Sequence, residues 1–480
     1  MSGRPVYFRP SVFGTVVICF LMVLSFLSSN SLLTCACVAA LVLFMMLLWR
    51  RGEPPILLFA ISTQWAQATL MVFYADLNGT RLNDATPAGH MEQVAWLCLL
   101  ALIFLAIGMR CGISRLKPID FIHIRSEAEK LNIHKLWAAY LVAFAITPVI
   151  QARSWDMAPG LTQILLNLTH IKWAVFFLLV YCVVLKKRHY HYLFIAIALE
   201  IITGLTGFFA GFKDVFFIAS VALATVGLRI TFRRLIGLIL LTVLFFHLSV
   251  LWTVVKIEYR DYMSEGTRQQ VVLVSFHERL RKLMTLLKGV DRVNYAEGIT
   301  GLVNRVAQTE MFSYVLEQVP DNIPFENGRL WQRAVQHIFM PRLLFPNKLP
   351  LPSDSEVTNY YTGLHFAGEE EGTSIALGYV TESYIDFGIG GMCGTLFFIG
   401  LLWGLMYTYF ISRPKLKLFS YATSVAVLVF AYKLEVDNVH LLGGLTMGFI
   451  VMALALRFIA PVLNRLFLQK QTRTAVHEAA

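Results

Sequence analysis

Long apolar stretches recur along the chain with short polar breaks between them. Nine follow one another near 11–29, 32–49, 55–75, 93–110, 134–151, 161–185, 190–210, 214–231 and 235–255. Three more lie near 388–411, 418–435 and 439–461. Each is close to the roughly 17–25 residues that a helix needs to cross a bilayer. The pattern predicts an all-α polytopic membrane protein with twelve transmembrane helices. Nine fall within 1–255 and three within 388–462, with a tail over 463–480. The first stretch follows Arg4 and Arg9 as a signal peptide would. It lacks an A-x-A-like cleavage site and runs directly into the second stretch, so it is expected to be retained.

The interval 256–387 is the long polar segment, and it has its own periodicity. Val272, Phe276, Leu280, Leu283 and Leu287 recur at helical spacing, with Arg279, Arg281, Lys282 and Lys288 around them. This reads as an amphipathic helix against a membrane face. A second helix is expected over 294–319, closed by Pro320, and a third ends near Met340. Pro341, Pro346, Pro350 and Pro352 make the following run extended and rigid.

Composition agrees: 57% of residues are hydrophobic, only 15% are charged, and the mean hydropathy is +0.63. A soluble domain carries about 25% charge, so a large soluble enzyme is excluded. The net charge of +11 would suggest nucleic acid in a soluble protein. Here the positive-inside rule accounts for it, and no nucleic-acid partner is expected. With the N-terminus inside, the inside connections hold Arg50 and Arg51, Arg110 to Lys135, Lys186 to Arg188, Arg233 and Arg234, and Arg413 to Lys417. The short outside loops hold only Arg81, Arg153, Lys213 and Lys433. Both termini are then cytoplasmic and 256–387 is periplasmic, as for a multi-pass protein of the bacterial inner membrane. The seven cysteines avoid the long polar segment and show neither a disulfide framework nor zinc spacing. P-loop, GxSxG, HExxH and DxD patterns are lacking, so no metal or cofactor is expected.

Candidate chemistry concentrates in the long segment. Twelve Lys and Arg lie between Arg260 and Lys348, among them Arg292, Arg305, Arg329 and Arg342. A cation cluster above a bilayer suits a lipid-linked phosphate or pyrophosphate, which Arg grips bidentately. For Arg279, Arg281, Lys282 and Lys288 the competing reading is contact with lipid headgroups. Glu200 sits inside an apolar stretch beside Gly204, Gly207 and Gly211. It is either a functional group or the partner of a base such as Lys172. Lys213, at the end of that stretch, is a phosphate candidate or a snorkelling lysine. Glu382 and Asp386 stand four apart and would share a helix face. His277 and His365 read as surface groups rather than bases.

Several short runs then occur in order. They are Leu302-Val-Asn-Arg305, Gln318-Val-Pro320, Asn327-Gly-Arg329, Met340-Pro-Arg342-Leu-Leu-Phe-Pro346-Asn-Lys348, Gly372-Thr-Ser374, and Gly378-Tyr-Val-Thr-Glu382-Ser-Tyr384-Ile-Asp-Phe387-Gly388-Ile-Gly390. This order resembles the Wzy-type polymerases of O-antigen and exopolysaccharide repeat units, over roughly 200–395 and in overall plan. The resemblance implies a GT-C-like helical bundle. It implies a transferase that joins undecaprenyl-pyrophosphate-linked oligosaccharides on the periplasmic side, releasing undecaprenyl pyrophosphate. A flippase and a chain-length regulator would be its companions. Glu382 matches the family's acid and Lys213 stands near its usual basic position; with the cations above, Glu382, Arg305 and Arg342 are expected as catalytic residues, and Lys348, Arg329, Lys213, Arg292 and Glu200 at the substrate. The related O-antigen ligases carry a His-Asn pair before the span after the loop. Here that region reads Glu371-Gly-Thr-Ser-Ile375, which favours a polymerase over a ligase. A lipid-linked glycan flippase is the other alternative. It would spread its charges through many spans rather than gather them in one loop.

Overall fold

The computed structural model describes residues 12–117, 121–154, 159–207, 211–227, 232–267, 272–307, 309–340, 345, 347–348, 351–366, 368, 374–413 and 415–468. Among the described residues the chain is helical, with one isolated antiparallel bridge between Leu131 and Leu468. The first helices are α1 (Val12–Ser25), α2 (Ser31–Leu48), α3 (Ile56–Leu77), α4 (Met91–Gly112), α5 (Phe121–Lys130) and α6 (Ile133–Ser154). Next come α7 (Pro159–Leu168), α8 (His170–Lys186), α9 (Tyr190–Leu205), α10 (Lys213–Val226) and α11 (Phe232–Met263). The long polar segment forms α12 (Phe276–Lys288), α13 (Arg292–Val306), α14 (Thr309–Gln318), α15 (Arg329–Phe339) and α16 (Asp354–Thr362). The chain ends with α17 (Tyr379–Ile411), α18 (Lys417–Leu428) and α19 (Asn438–Phe467).

Within the described residues each of the twelve apolar stretches overlaps a helix, and 161–185 overlaps two, α7 and α8. Among the described residues eight segments, rather than twelve, are long and apolar enough to cross a membrane, as expected of a multi-pass membrane protein. α9 and the run Lys417–Tyr432 are shorter apolar helices.

The boundaries differ from the hydropathy in instructive ways. α11 continues past 255 to Met263, because a helix need not stop where its apolar run does. α17 starts at Tyr379, well before 388, but is broken at Gly388, whose φ of 63° and ψ of −164° are not helical. A short leading segment carrying Glu382 and Asp386 thus precedes the apolar rod. The single helix expected over 294–319 is two, α13 and α14, because Ala307 turns extended at φ −76°, ψ 93°. α16 was not expected, although Ser353 and Glu356 form the capping box that starts it.

The closest helix pair is α4 against α17. Gly108 and Gly112 face Gly400 and Gly404, two small-xxx-small pairs set across from each other. A Cβ added at Gly108 would meet the Phe397 carbonyl oxygen at 2.0 Å, and one at Gly400 the Leu105 carbonyl oxygen at 2.0 Å. The Thr408 hydroxyl donates to the Gly112 carbonyl at 2.9 Å, tying the same seam.

The described parts of the connections 77–91, 205–213, 263–379 and 432–438 gather at one end of the bundle, here termed the loop end. His90 N donates to Ser313 Oγ at 3.0 Å, and Arg279 Nη1 to the Thr206 carbonyl at 2.7 Å. At the opposite end Glu53 accepts from Arg50 Nε at 2.7 Å and from the Tyr407 hydroxyl at 3.1 Å.

Gly400→Val is expected to remove about 1–3 kcal/mol of stability by overpacking this seam. Gly394→Ala, where an added Cβ meets nothing within 4 Å, should be neutral or stabilising. Thermal unfolding of the two purified variants in one detergent checks the contrast.

Candidate functional site

Two backbone segments meet at the loop end and build the site. Gly378 has a φ of 87°, and a Cβ there would sit 2.6 Å from the Leu434 carbonyl oxygen, so only glycine allows the approach. Tyr379 N donates to the Val436 carbonyl at 2.7 Å. Buried Gln64 of α3 joins both sides: its Nε2 donates to the Ala431 carbonyl, and its Oε1 accepts from the Tyr379 hydroxyl, each at 2.6 Å. The start of α17 therefore runs beside the turn into α19. Asp437 caps α19, accepting from His440 N at 2.9 Å, and its Oδ1 also lies 2.7 Å from His440 Nδ1. The next orphan amide, Asn438 N, donates to Glu382 Oε2 at 2.9 Å.

α15 docks on the same segment. Asp386 Oδ1 accepts from Leu330 N at 3.0 Å and Oδ2 from Trp331 N at 2.8 Å, filling the first turn of α15. Trp331 Nε1 donates to Ser383 Oγ at 3.1 Å. α16 is held by the Thr358 hydroxyl donating to the Ile375 carbonyl, and by the Tyr361 hydroxyl donating to Glu326 Oε1 at 2.8 Å. Burial, and then this bond to Glu326, push the Tyr361 phenol well above its ordinary value, so it remains a donor.

Arg333 of α15, Asp354 of α16, Glu382, Asp437 and His440 consequently line one narrow pocket. Its cavity of about 20 Å³ has room for a water or an ion but not for a sugar. A second cavity of about 260 Å³ lies between α7, α18 and α19, walled by Asn167, His170, Lys433, His440, Gly444 and Gly448 among others. His440 borders both cavities.

Cations collect beside them. The charges of Arg305 and Arg260 bear on Lys256, and those of Lys433 and Arg305 bear on Lys213. Glu435 and Asp214 supply the opposing charge at Lys213. Lys213 and Lys433 both lie over the Tyr432 ring, at 5.2 and 5.9 Å. Lys433 also borders the larger cavity, so this group and the cavity share a wall.

The residues singled out from sequence separate into groups. Glu382 is buried in the narrow pocket, and Arg305 and Lys213 belong to the cation group. Glu200 is buried with Lys172 Nζ at 2.9 Å and the Tyr140 hydroxyl at 2.8 Å, which is the partner reading. Arg329 pairs with Glu326 at 3.3 Å, and Arg292 is exposed at the start of α13. Lys348 Nζ donates to the carbonyls of His337 and Met340 at 2.9 and 3.0 Å, holding the C-terminus of α15. Arg342 lies outside the described residues. Lys282 pairs with Glu258 at 2.7 Å, and Arg279 is bound to Thr206, so part of the amphipathic helix is anchored to the protein itself. His277 and His365 are exposed, and His277 contacts Arg281.

Sequence reasoning counted Arg333 only among the twelve loop cations and did not single out Asp354, Lys433, Asp437 or His440. One signal was present: Asp437-Asn-Val-His440 is an N-cap acid followed three residues on by a histidine, at the mouth of a span.

The chain belongs to the family described as Domain of unknown function (DUF8712), whose model matches residues 56–471. No curated protein and no solved structure matches it.

Asp386→Ala should unseat α15, since it strips two amides of their acceptor at a cost of about 1–2 kcal/mol. Faster cleavage within 320–345 in limited proteolysis, with unchanged cleavage elsewhere, is the expected result.

Proposed function

We propose that this DUF8712 family member polymerises undecaprenyl-pyrophosphate-linked oligosaccharide repeat units into a bacterial surface polysaccharide. In this reading the chain crosses the inner membrane twelve times, with both termini cytoplasmic and the loop end periplasmic. The observation that carries it is the cavity of about 260 Å³ between apolar helices, with Lys433, His170 and His440 in its wall and cations at its rim. Ionisable groups lining a cavity at membrane depth mark a path for a polar substrate. A glycolipid presents the matching shape: a chain for the bilayer, a diphosphate for the cations and a sugar for the loop helices.

The chemistry follows from that placement. The bond between the donor sugar C1 and the pyrophosphate oxygen breaks as an acceptor hydroxyl oxygen bonds to C1. The hydroxyl proton passes to a base, and undecaprenyl pyrophosphate departs carrying the electron pair. Negative charge grows on the leaving oxygen, so cations fixed there stabilise the transition state more than the ground state. Arg305, Lys213 and Lys433 fill this role, with Arg342 added by the resemblance. The resemblance makes Glu382 the base; its pocket admits a water but not a sugar, so in this reading a water carries the hydroxyl proton to it. Lys348 and Glu200 support the site, because α15 and Lys172 already engage them.

Reporter fusions after Gly328 and after Pro414 should report opposite sides of the membrane, and the same side for both would reject the topology. In cells making the polymer, Arg305→Ala is expected to slow chain growth by about 10²–10³. Glu382→Gln should slow it by about 10²–10⁴. Both should leave single repeat units on lipid at normal protein levels. Wild-type chain lengths in both variants would reject the assignment.

A further inference from the structure

The larger cavity, of about 260 Å³, has walls suited to one part of the glycolipid. We propose that it is a subsite for a single sugar ring, the ring whose C1 carries the diphosphate. His170 and Asn167 bond its hydroxyls, and Gly444 keeps open the space it fills. This deepens the glycan reading and rests on it; the remainder of the glycan stays among the loop helices.

The geometry comes first. Asn167 is buried, and its Nδ2 donates to the Gln163 carbonyl at 2.8 Å, one turn back in α7. Its Oδ1 is thereby turned to α19, 3.0 Å from where a Cβ on Gly448 would stand. The same added Cβ would lie 3.9 Å from His170 Nδ1. An amide oxygen and an imidazole nitrogen therefore meet beside Gly448, and all three residues line the cavity.

A second observation points to a ligand. His170 Nδ1 is buried without a hydrogen bond among the described residues. The imidazole lies flat on Phe430, with ring centroids 4.5 Å apart and planes 17° apart, which holds its orientation. A buried nitrogen held in this way is costly unless something in the cavity bonds to it.

The wall selects among occupants. A polyprenyl chain would leave His170 Nδ1 and Asn167 Oδ1 unpaired. A diphosphate would find one ammonium, that of Lys433, and an amide oxygen that repels it. A sugar hydroxyl both donates and accepts, so it can serve an amide oxygen and an imidazole nitrogen in either tautomer. Small-molecule pockets begin at about 300 Å³, so a cavity of this size takes one ring rather than an oligosaccharide. Lys433 indicates which ring. It stands in the wall and shares the Tyr432 ring with Lys213, so a sugar beside it is the one bonded to phosphate.

Gly444 provides the lever. It borders the cavity, and a Cβ there would meet nothing within 4 Å. A Cβ on Gly443 would also meet nothing, but Gly443 is not on the wall. A larger side chain at 444 should fill the subsite without disturbing the helices, and the same change at 443 is its control.

The full chain in detergent is titrated with two probes: lipid-linked single repeat units extracted from cells, and undecaprenyl pyrophosphate without sugar. The unmodified chain should bind the first tenfold or more tighter than the second. Gly444→Leu and His170→Phe should each abolish that preference and still bind the bare lipid diphosphate, whereas Gly443→Leu should keep it. Equal binding of both probes by the unmodified chain, or a preference retained by either cavity variant, would overturn the subsite and leave the polymerase reading standing. Loss of the preference in Gly443→Leu as well would assign the effect to packing of α19 and also overturn the subsite. Binding of neither probe by the unmodified chain would overturn the polymerase reading and the subsite with it. If Gly444→Leu fails to fold, His170→Phe decides, since phenylalanine preserves the stack on Phe430.

Discussion

The approach of α4 to α17 is the constraint on which the remainder rests. In lipid no hydrophobic gain draws two apolar helices together, so close packing must supply the attraction. Gly108, Gly112, Gly400 and Gly404 remove four side chains from one seam and let the backbones touch. α17 is thereby fixed in height and rotation. α15 and the turn into α19 are bonded to its leading segment, which the break at Gly388 frees from the direction of the rod. A side chain at Gly400 would thus disturb more than a contact, because Glu382, Ser383 and Asp386 are positioned by the same helix.

Two carboxylates on that segment show how one local pattern yields different chemistry. Asp386 gives both oxygens to the amides that open α15, so nothing in it remains for a ligand. Glu382, one turn earlier, gives a single oxygen to the first amide of α19. Each acid sits at a helix N-terminus, where the dipole and the orphan amides favour negative charge. The difference is in how many amides each must serve. α15 and α19 are thereby referred to one frame, and Arg333 and His440 arrive at the same pocket from opposite sides.

Much of this fold was legible from the chain. Apolar runs located the long helices because hydropathy is a local property, and among the described residues eight of the resulting segments are long and apolar enough to cross a membrane. The amphipathic helix over 276–288 was legible for the same reason, whereas the break at Ala307 was not, since no glycine or proline marks it. The site was less legible. Of the residues singled out, Glu382 lines the narrow pocket and Arg305 and Lys213 lie in the cation group, whereas His440, Asp437 and Asp354 were not singled out. Asp437 and His440 carry only their N-cap spacing as a signal and Asp354 none, and the crossing of 378–379 with 434–436, with α16 tied to Ser374 and Ile375, brings them to one pocket. Glu200 was legible as either a functional group or a partner of Lys172, and the structure shows the partner arrangement, with Lys172 and Tyr140 bonded to it.

That contrast separates charge that builds the protein from charge that serves a ligand. Glu200, Lys172 and Tyr140 close on one another deep in the bundle, and a closed set gains nothing from an added ion or phosphate. Around the turn 433–440 the arrangement is open. Among the described residues, His170 Nδ1, Glu435 Oε2 and both amide atoms of Asn438 are buried without a hydrogen bond. His170 borders the larger cavity, and Asn438 adjoins Asp437 in the wall of the narrow one. Folded proteins leave few such groups, and those that persist tend to face something other than protein. The bundle therefore neutralises its charge where only helices meet. It leaves polar demand unmet where the cavities, the cation group and the loop helices come together.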